Sequence, residues 1–246
     1  MRVAALYDIH GNLPALEAVL EEVDADLVVV GGDLAPGAMV GEVLDRLRAL
    51  DVPVRWVMGN GDREVVEGPA GGGLAPGDLV AWSVERLSDA QRRFLASFEP
   101  TVQVAVDGLG DVLFCHGSPR SDTEIITQVT PPERLAPMLE GVAADVVVCG
   151  HTHHQFDRAV DGRRVMNAGS VGLPYQGAAA AFWLALGSGV EMRRTDYDVP
   201  AAVELMRASG MPEMEDSIVA SLVEPVSAAF IAEFFEKQAT SRPDER

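Results

Sequence analysis

The stretch RVAALYDIHGNLPALEAVLEEVDADLVVVGGD, residues 2–33, decides the reading of this chain. RVAALY at 2–7 and DLVVV at 26–30 are short runs of β-favouring apolar residues, and LPALEAVLEEV between them spaces its apolar residues as a helix does. Strand, helix and strand in that order make a βαβ unit with parallel strands and a right-handed crossover. Both strands end in polar turns, DIHGN at 8–12 and GGD at 31–33. Those turns fall at the carboxyl edge of the sheet, where α/β proteins bind ligands.

The rhythm continues beyond residue 33. VGEVLDRLRAL at 40–50 reads as a second helix, and Pro53 opens a third strand, PVRWVM, that ends in GNGD at 59–62. Alternating strands and helices predict a mainly parallel sheet buried on both faces. The Gly/Pro-rich EGPAGGGLAPG at 67–77 reads as a loop, 78–97 as one or two helices with Ser88 as an N-cap, and 101–106 and 111–115 as strands around Gly108 and Gly110. TPPE at 130–133 pairs a capping Thr130 with Glu133, which predicts a helix to about residue 140. From 145 the runs DVVVC, QFDRAV, RRVMN, AAFWLAL and VEMRRTDY are joined by short turns, which predicts an antiparallel second half. Residues 200–237 look helical, broken by Gly210, Pro212 and Pro225, and the tail SRPDER should fray. All these elements fit a four-layer α-β-β-α sandwich of two mixed β-sheets flanked by helices. The expected division is a catalytic domain over 1–197 and a helical extension over 198–246 packed on it.

Composition narrows the partners. The 246 residues include 38 acidic and 19 basic ones, a formal charge of −19 without a basic stripe. Such a surface repels polyanions and excludes duplex DNA or RNA as a general ligand, although a small phosphorylated substrate drawn in by bound cations fits. The acidity also has the plain reading of solubility. Cys115 and Cys149 are expected to be buried free thiols in a reducing compartment. The longest apolar run, AAAAFWLAL at 178–186, is too short to span a bilayer, and no basic segment leading into an apolar one opens the chain. A cytoplasmic protein with no membrane partner is expected. Phe230, Phe234 and Phe235 at helical spacing imply core packing or a seam between copies, which leaves a homo-oligomer open.

Only five histidines occur, at 10, 116, 151, 153 and 154, and each stands just past an apolar run. Asp8, His10, Asp33, Asn60, His116, His151 and His153 are therefore candidate metal ligands, gathered where strands end. Oxygen and imidazole donors without thiolate suit a hard or borderline divalent cation such as Mn, Fe or Zn. Asp8, Asp33 and Asn60 could singly be turn or helix caps, and Asn12 reads best as the cap of the first helix. Four histidines in the same ordered blocks favour the metal reading.

The blocks D-x-H, G-D, G-N-x-D, a lone His and G-H-x-H follow one another in order. Through them residues 1–197 resemble the calcineurin-like metallophosphoesterase superfamily, and DIHGN, CHGSP, GHTH and NAGSVG (167–172) bring the chain nearest to its small bacterial and archaeal phosphodiesterase-like branch. The resemblance implies two divalent metal ions (Mn favoured, with Fe, Zn, Ni or Co as options). Asp8, His10, Asp33 and His153 would hold one and Asp33, Asn60, His116 and His151 the other, with Asp33 bridging. It further implies hydrolysis of a phosphodiester, phosphomonoester or nucleotide anhydride by metal-bound hydroxide, with Asn60 and His116 among the catalytic groups. Dinucleoside polyphosphate hydrolases and protein phosphatases share the family. An interaction scaffold on the same fold is the alternative of another kind.

One block departs from the pattern. The family's G-N-H-[DE] is Gly59-Asn60-Gly61-Asp62 here, so the histidine that often protonates the leaving group is missing. Losing a general acid costs about 10² to 10⁴ in rate on a poor leaving group and far less on a good one. His154 is the first candidate substitute, against the plainer reading of a strand cap or an exposed side chain. Arg63 and Arg120 are candidate phosphate clamps, or else members of surface ion pairs. Asp62 is expected to pair with Arg63 or support a ligand. Asn167 and Ser170 are expected to steady a metal histidine by its second ring nitrogen.

Overall fold

The computed structural model describes residues 1–68, 78–212 and 215–241. The opening βαβ unit forms as read: β1 (Val3–Leu6), α1 (Leu13–Glu22) and β2 (Leu27–Val30), followed by α2 (Val40–Arg48) and β3 (Val54–Trp56). The three strands are parallel, with Val3 opposite Leu27 and Val28 opposite Val54. Next come α3 (Asn60–Glu67), α4 (Leu79–Arg86) and α5 (Asp89–Leu95). Asn12 caps α1 by accepting from the Ala15 N–H, and Ser88 with Gln91 forms a capping box on α5. From residue 69 on, the loop expected at 67–77 lies outside the described residues.

The second half consists of β4 (Thr101–Val106), β5 (Gly110–Cys115), α6 (Pro132–Leu135) with a 3₁₀ turn at Ala136–Leu139, β6 (Val146–Cys149), β7 (Phe156–Val160), β8 (Arg163–Asn167), β9 (Ala181–Leu186) and β10 (Val190–Thr195). Then follow α7 (Val199–Ala208), a π-helical turn at Glu215–Val219, α8 (Ala220–Val223) and α9 (Ala228–Ser241). One sheet runs β10-β9-β1-β2-β3 and the other β4-β5-β6-β8-β7. The antiparallel second half forms in the β7–β8 and β9–β10 hairpins but is corrected for β6, which is parallel to both β5 and β8; in this sheet only the edge strands β4 and β7 run against their neighbours. The cause is that β6 is buried along its whole length, as strands covered on both faces are, and segment 116–145 supplies the crossover that parallel pairing needs. The β9–β10 hairpin leaves this sheet and joins β1 antiparallel in the other.

The helix expected from 130 to 140 is shorter. Pro137 has no N–H for the Glu133 carbonyl, so α6 makes one turn and tightens into the 3₁₀ turn. Thr130 does not cap it; its hydroxyl accepts from the Thr127 N–H and donates to Glu236 on α9. The tail expected to fray lies, beyond Ser241, outside the described residues.

Side-chain alternation along β1 sets the layers. Ala4 and Leu6 face the helices, against Leu16, Val19, Val43, Leu44 and Leu47. Val3, Ala5 and Tyr7 face the second sheet, against Val102, Phe114, Val146 and Val148. On its outer face the second sheet buries Cys115, Val147 and Cys149 against Ile126, Leu135 and Leu139, and both cysteines are free and buried. The result is α-β-β-α. The Tyr7 hydroxyl donates to the Val148 carbonyl across the two sheets at 3.1 Å, which satisfies the one polar atom of a ring buried between them. Gly31 makes room for it: a Cβ there would lie 2.0 Å from the ring.

The C-terminal helices cover the carboxyl edge. Val203 and Met206 of α7 with Ile218 and Leu222 bury Trp82, Ala38 and Leu173. Phe230 and Phe234 are exposed, whereas Phe235 turns inward toward Tyr175. Among the described residues, no helix is long and apolar enough to cross a membrane.

Candidate metal centre

Because the parallel strands of both sheets end at one edge, the polar turns that follow them meet there. Asp8 lies just past β1, Asp33 past β2, His116 past β5, His151 and His153 past β6, and Asn60 opens α3 after β3. The Asp33 Oδ2 is 3.3 Å from His116 Nε2 and 3.8 Å from His10 Nε2. Asp8 Oδ1 is 3.3 Å from His153 Nε2 and 3.9 Å from His116 Nε2. Ligand atoms of Asp8, His10, Asp33 and His153 all lie within 4.8 Å of one another, and those of Asp33, His116 and His151 do likewise. Asp33 belongs to both groups.

The imidazoles are aimed by the main chain. His10 Nδ1 meets the Pro36 carbonyl at 3.2 Å, His116 Nδ1 the Gly31 carbonyl at 3.0 Å and His153 Nδ1 the Leu173 carbonyl at 2.7 Å. A carbonyl only accepts, so each Nδ1 carries a proton and each Nε2 is aimed at the centre, where a cation would take its lone pair in place of a proton. Asn167 and Ser170 were expected at a ring nitrogen; they brace backbone instead. Asn167 Nδ2 donates to the Gly150 carbonyl at 2.6 Å and Ser170 Oγ to the Asp8 carbonyl at 2.7 Å.

That bracing has work to do, since five of the seven candidate ligands have left-handed backbone. The φ angles are 52° at Asp8, 45° at His10, 53° at Asp33, 65° at His151 and 54° at His153. A non-glycine residue held there costs roughly 1–3 kcal/mol, and such strain persists only where the surroundings over-determine it. Neighbouring glycines allow the close approach. A Cβ at Gly59 would lie 2.2 Å from Asp33 Oδ1, and one at Gly150 2.7 Å from Asp8 Oδ2.

The donor set fits a cation. Asp8 Oδ1, Asn60 Oδ1 and His116 Nε2 are buried without a hydrogen-bond partner, although Asp8 and His116 each lie 3.3 Å from another ligand atom. Buried polar atoms rarely stay unmatched, and groups pointed at a common centre rather than at one another are what ligation requires. Burial presses the Asp33 carboxyl upward, but the facing His116, His10 and His151 outweigh it and hold its pKa well below the carboxylate range. Burial presses His116 downward, and Asp33 and Asp8 outweigh it to raise the imidazole to about 10.

The remaining candidates are engaged elsewhere. Arg63 Nε and Nη2 reach Asp122 at 2.6 and 3.4 Å, and Arg120 forks onto Glu124 and reaches the Pro137 carbonyl. Asp62 does not pair with Arg63. Its carboxyl accepts from the Ala35 N–H at 3.0 Å and the Gly59 N–H at 3.3 Å, and burial, then Asp33, pushes its pKa up to about 7. Gly61 is forced by its surroundings: a Cβ would lie 2.1 Å from the Ala35 carbonyl oxygen. His154 is neither exposed nor in either ligand group. It is fully buried, with Nδ1 on the Thr152 carbonyl at 2.9 Å, its ring beside Phe156, and burial lowering its pKa. The residue that sequence reading passed over is Tyr175, whose ring stacks on His153. A lone tyrosine in a Gly- and Ala-rich loop carries no signal of that.

Three comparisons bear on this site. The model of the calcineurin-like phosphoesterase superfamily domain matches residues 1–186. An uncharacterised protein of Methanocaldococcus jannaschii, MJ0912, is 24% identical over 239 residues, covering 86% of this chain and 94% of its own. Among solved structures, a metallophosphoesterase from Sphaerobacter thermophilus superposes with a TM-score of 0.72 at 24% identity, covering 89% of this chain and 98% of that one. The hypothetical protein PH1004 from Pyrococcus horikoshii superposes with a TM-score of 0.74 at 20% identity, covering 92% and 99%. At these identities the structural likeness speaks for the fold.

Proposed function

Because this chain belongs to the calcineurin-like phosphoesterase superfamily, we propose that it is a hydrolase that uses two divalent cations, manganese by preference, to cleave a small phosphorylated substrate. In this reading Asp8, His10, Asp33 and His153 hold one cation, and Asp33, Asn60, His116 and His151 the other. The shared Asp33, present in both groups of ligand atoms, is the observation that carries it. When bound, such a pair of cations neutralises the phosphoryl oxygens and supplies an activated water as nucleophile.

The chain's own residues set which ester it can cleave. Position 61 offers no side chain, and the His154 ring is shut away from solvent, so neither stands ready to protonate a departing alkoxide. Substrates whose leaving group is already acidic, an activated phosphodiester or a nucleotide anhydride, need no such donor. Arg63 and Arg120 are each ion-paired, with Asp122 and Glu124, so in this reading phosphate recognition falls to the cations. A charge of −19 disfavours long polyanions and leaves a small substrate. Two buried free thiols suit a reducing compartment, the cytoplasm in this reading.

The test combines metal analysis with hydrolysis of bis(4-nitrophenyl) phosphate. Bound transition metal and turnover stimulated by Mn are expected. A chain that takes up no metal and stays inactive after Mn, Ni or Co is added would leave the scaffold reading in its place.

A further inference from the structure

His153 is held on three sides by one short segment. Its Nδ1 meets the Leu173 carbonyl at 2.7 Å, its carbonyl accepts from the Tyr175 N–H at 2.9 Å, and the Tyr175 ring lies almost parallel to its face, 4.9 Å between centroids at 13°. The same segment also touches the C-terminal helices. Phe235 of α9 stands 6.4 Å away, the Tyr175 hydroxyl bonds Ser221 of α8, and the Gly177 N–H donates to the Val226 carbonyl between those helices at 2.8 Å. With one face stacked on His153 and Phe235 beside it, the half-buried ring is engaged by protein rather than left open as a platform. It is a spacer between a candidate ligand and the end of the chain.

The residue after Phe235 reaches the other flank of the same ligand turn. Glu236 accepts from Thr127 Oγ1 at 2.7 Å, from Thr130 Oγ1 at 2.5 Å and from the Arg134 guanidinium. The loop so anchored receives Thr152 Oγ1, from between His151 and His153, on its Ile126 carbonyl at 3.1 Å. Thus α9 braces the 151–153 turn from two directions. His116, by contrast, is fixed through Gly31, at the end of β2.

We infer that the C-terminal helices are a working part of the metal centre, and that Tyr175 is the positioning residue through which they hold His153. The inference rests on the two-cation reading above and deepens it. Because His153 keeps a strained φ of 54° and Thr152 stays anchored on the Ile126 carbonyl, removing the stacked neighbour lets residue 153 alone relax and withdraws its Nε2 from one cation position. The cation assigned to Asp8, His10, Asp33 and His153 should weaken by about 10- to 100-fold, the usual cost of losing a group that orients a ligand. The cation assigned to Asn60, His116 and His151 should hold.

Titration of the full chain with Co(II), followed by calorimetry and by the visible absorption of bound cobalt, tests this alongside melting temperatures. The wild type should show two sites. Tyr175→Leu and Phe235→Ala should each lose affinity at one of them, and Tyr175→Phe, which keeps the stack and loses only the Ser221 bond, should restore most of it. Wild-type binding at both sites in Tyr175→Leu and Phe235→Ala would overturn the inference while leaving the two-cation reading intact, and so would equal weakening of both sites. If Tyr175→Leu does not fold, Phe235→Ala decides alone. A wild type with a single cobalt site would overturn the two-cation reading and the inference with it.

Discussion

The two halves of the candidate ligand cluster are built differently around the same carboxylate. Asn60, His116 and His151 sit just past the ends of β3, β5 and β6, the last of these buried along its whole length, and only His151 among them has left-handed backbone. Asp8, His10 and His153 are all left-handed, and loops hold them, through Pro36, Ser170, Gly172 and Leu173. The first half inherits its geometry from two sheets. The second must be clamped, and the clamp draws on segments far along the chain, up to α9. The lesson is that a ligand set compact in space can still divide into a part that the sheets guarantee and a part that needs support from elsewhere in the fold.

Asp33 is where the comparison can be broken most completely. It belongs to both groups, and its Oδ1 also accepts from the Gly61 N–H at 2.8 Å. Asp33→Ala is expected to lose both ions and all metal-stimulated hydrolysis, as metal analysis and the bis-aryl phosphate assay would read. Retention of stoichiometric metal would refute the bridging role and make the halves independent.

Gly61 marks the contact between the halves. It lies at the start of α3, and the Ala35 carbonyl against which its Cβ would press, at 2.1 Å, belongs to the loop that leads to Pro36 and so to His10. Gly61→His therefore does not restore a proton donor. It should lower stability by roughly 1–3 kcal/mol, measured by urea unfolding, because backbone must move to admit the side chain. Turnover of alkyl phosphodiesters should not rise. A stable variant with faster alkyl-ester cleavage would show that the two halves yield to each other more easily than their packing implies.

How much of this could be read in advance follows the same division. The βαβ units and the gathering of Asp8, Asp33, Asn60 and His116 at one sheet edge were legible, because strand ends and polar turns are local patterns with fixed periods. The parallel pairing of β5, β6 and β8 was not, because short turns hid that β7 inserts as an edge strand and that β6 already had a distant neighbour. Thr130 looked like a cap because the capping signature is local, whereas its actual partner, Glu236, is remote in sequence. The absence of a histidine at 61 was plain; its cause, a carbonyl from another loop, was not. Tyr175 escaped entirely, for stacking on His153 is a tertiary fact with no sequence period.

His154 gives the smallest expected effect and the finest test. It adjoins His153 in the clamped half, yet its ring points into the interior beside Phe156 and its Nε2 is buried without a partner. A proton donor must come within hydrogen-bond reach of the leaving oxygen, directly or through one water, and a ring with no exposed surface does neither. His154→Gln keeps a donor for the Thr152 carbonyl and should leave kcat within about twofold on aryl and alkyl phosphodiesters alike, with any loss confined to stability. A fall of about 10²-fold or more on the alkyl ester, with the aryl ester spared, would instead assign the missing acid to His154. It would also mean that the turn opens far enough during turnover to bring that ring to the cleft, so that the clamped half is a moving part and the half seated on the sheets the fixed one.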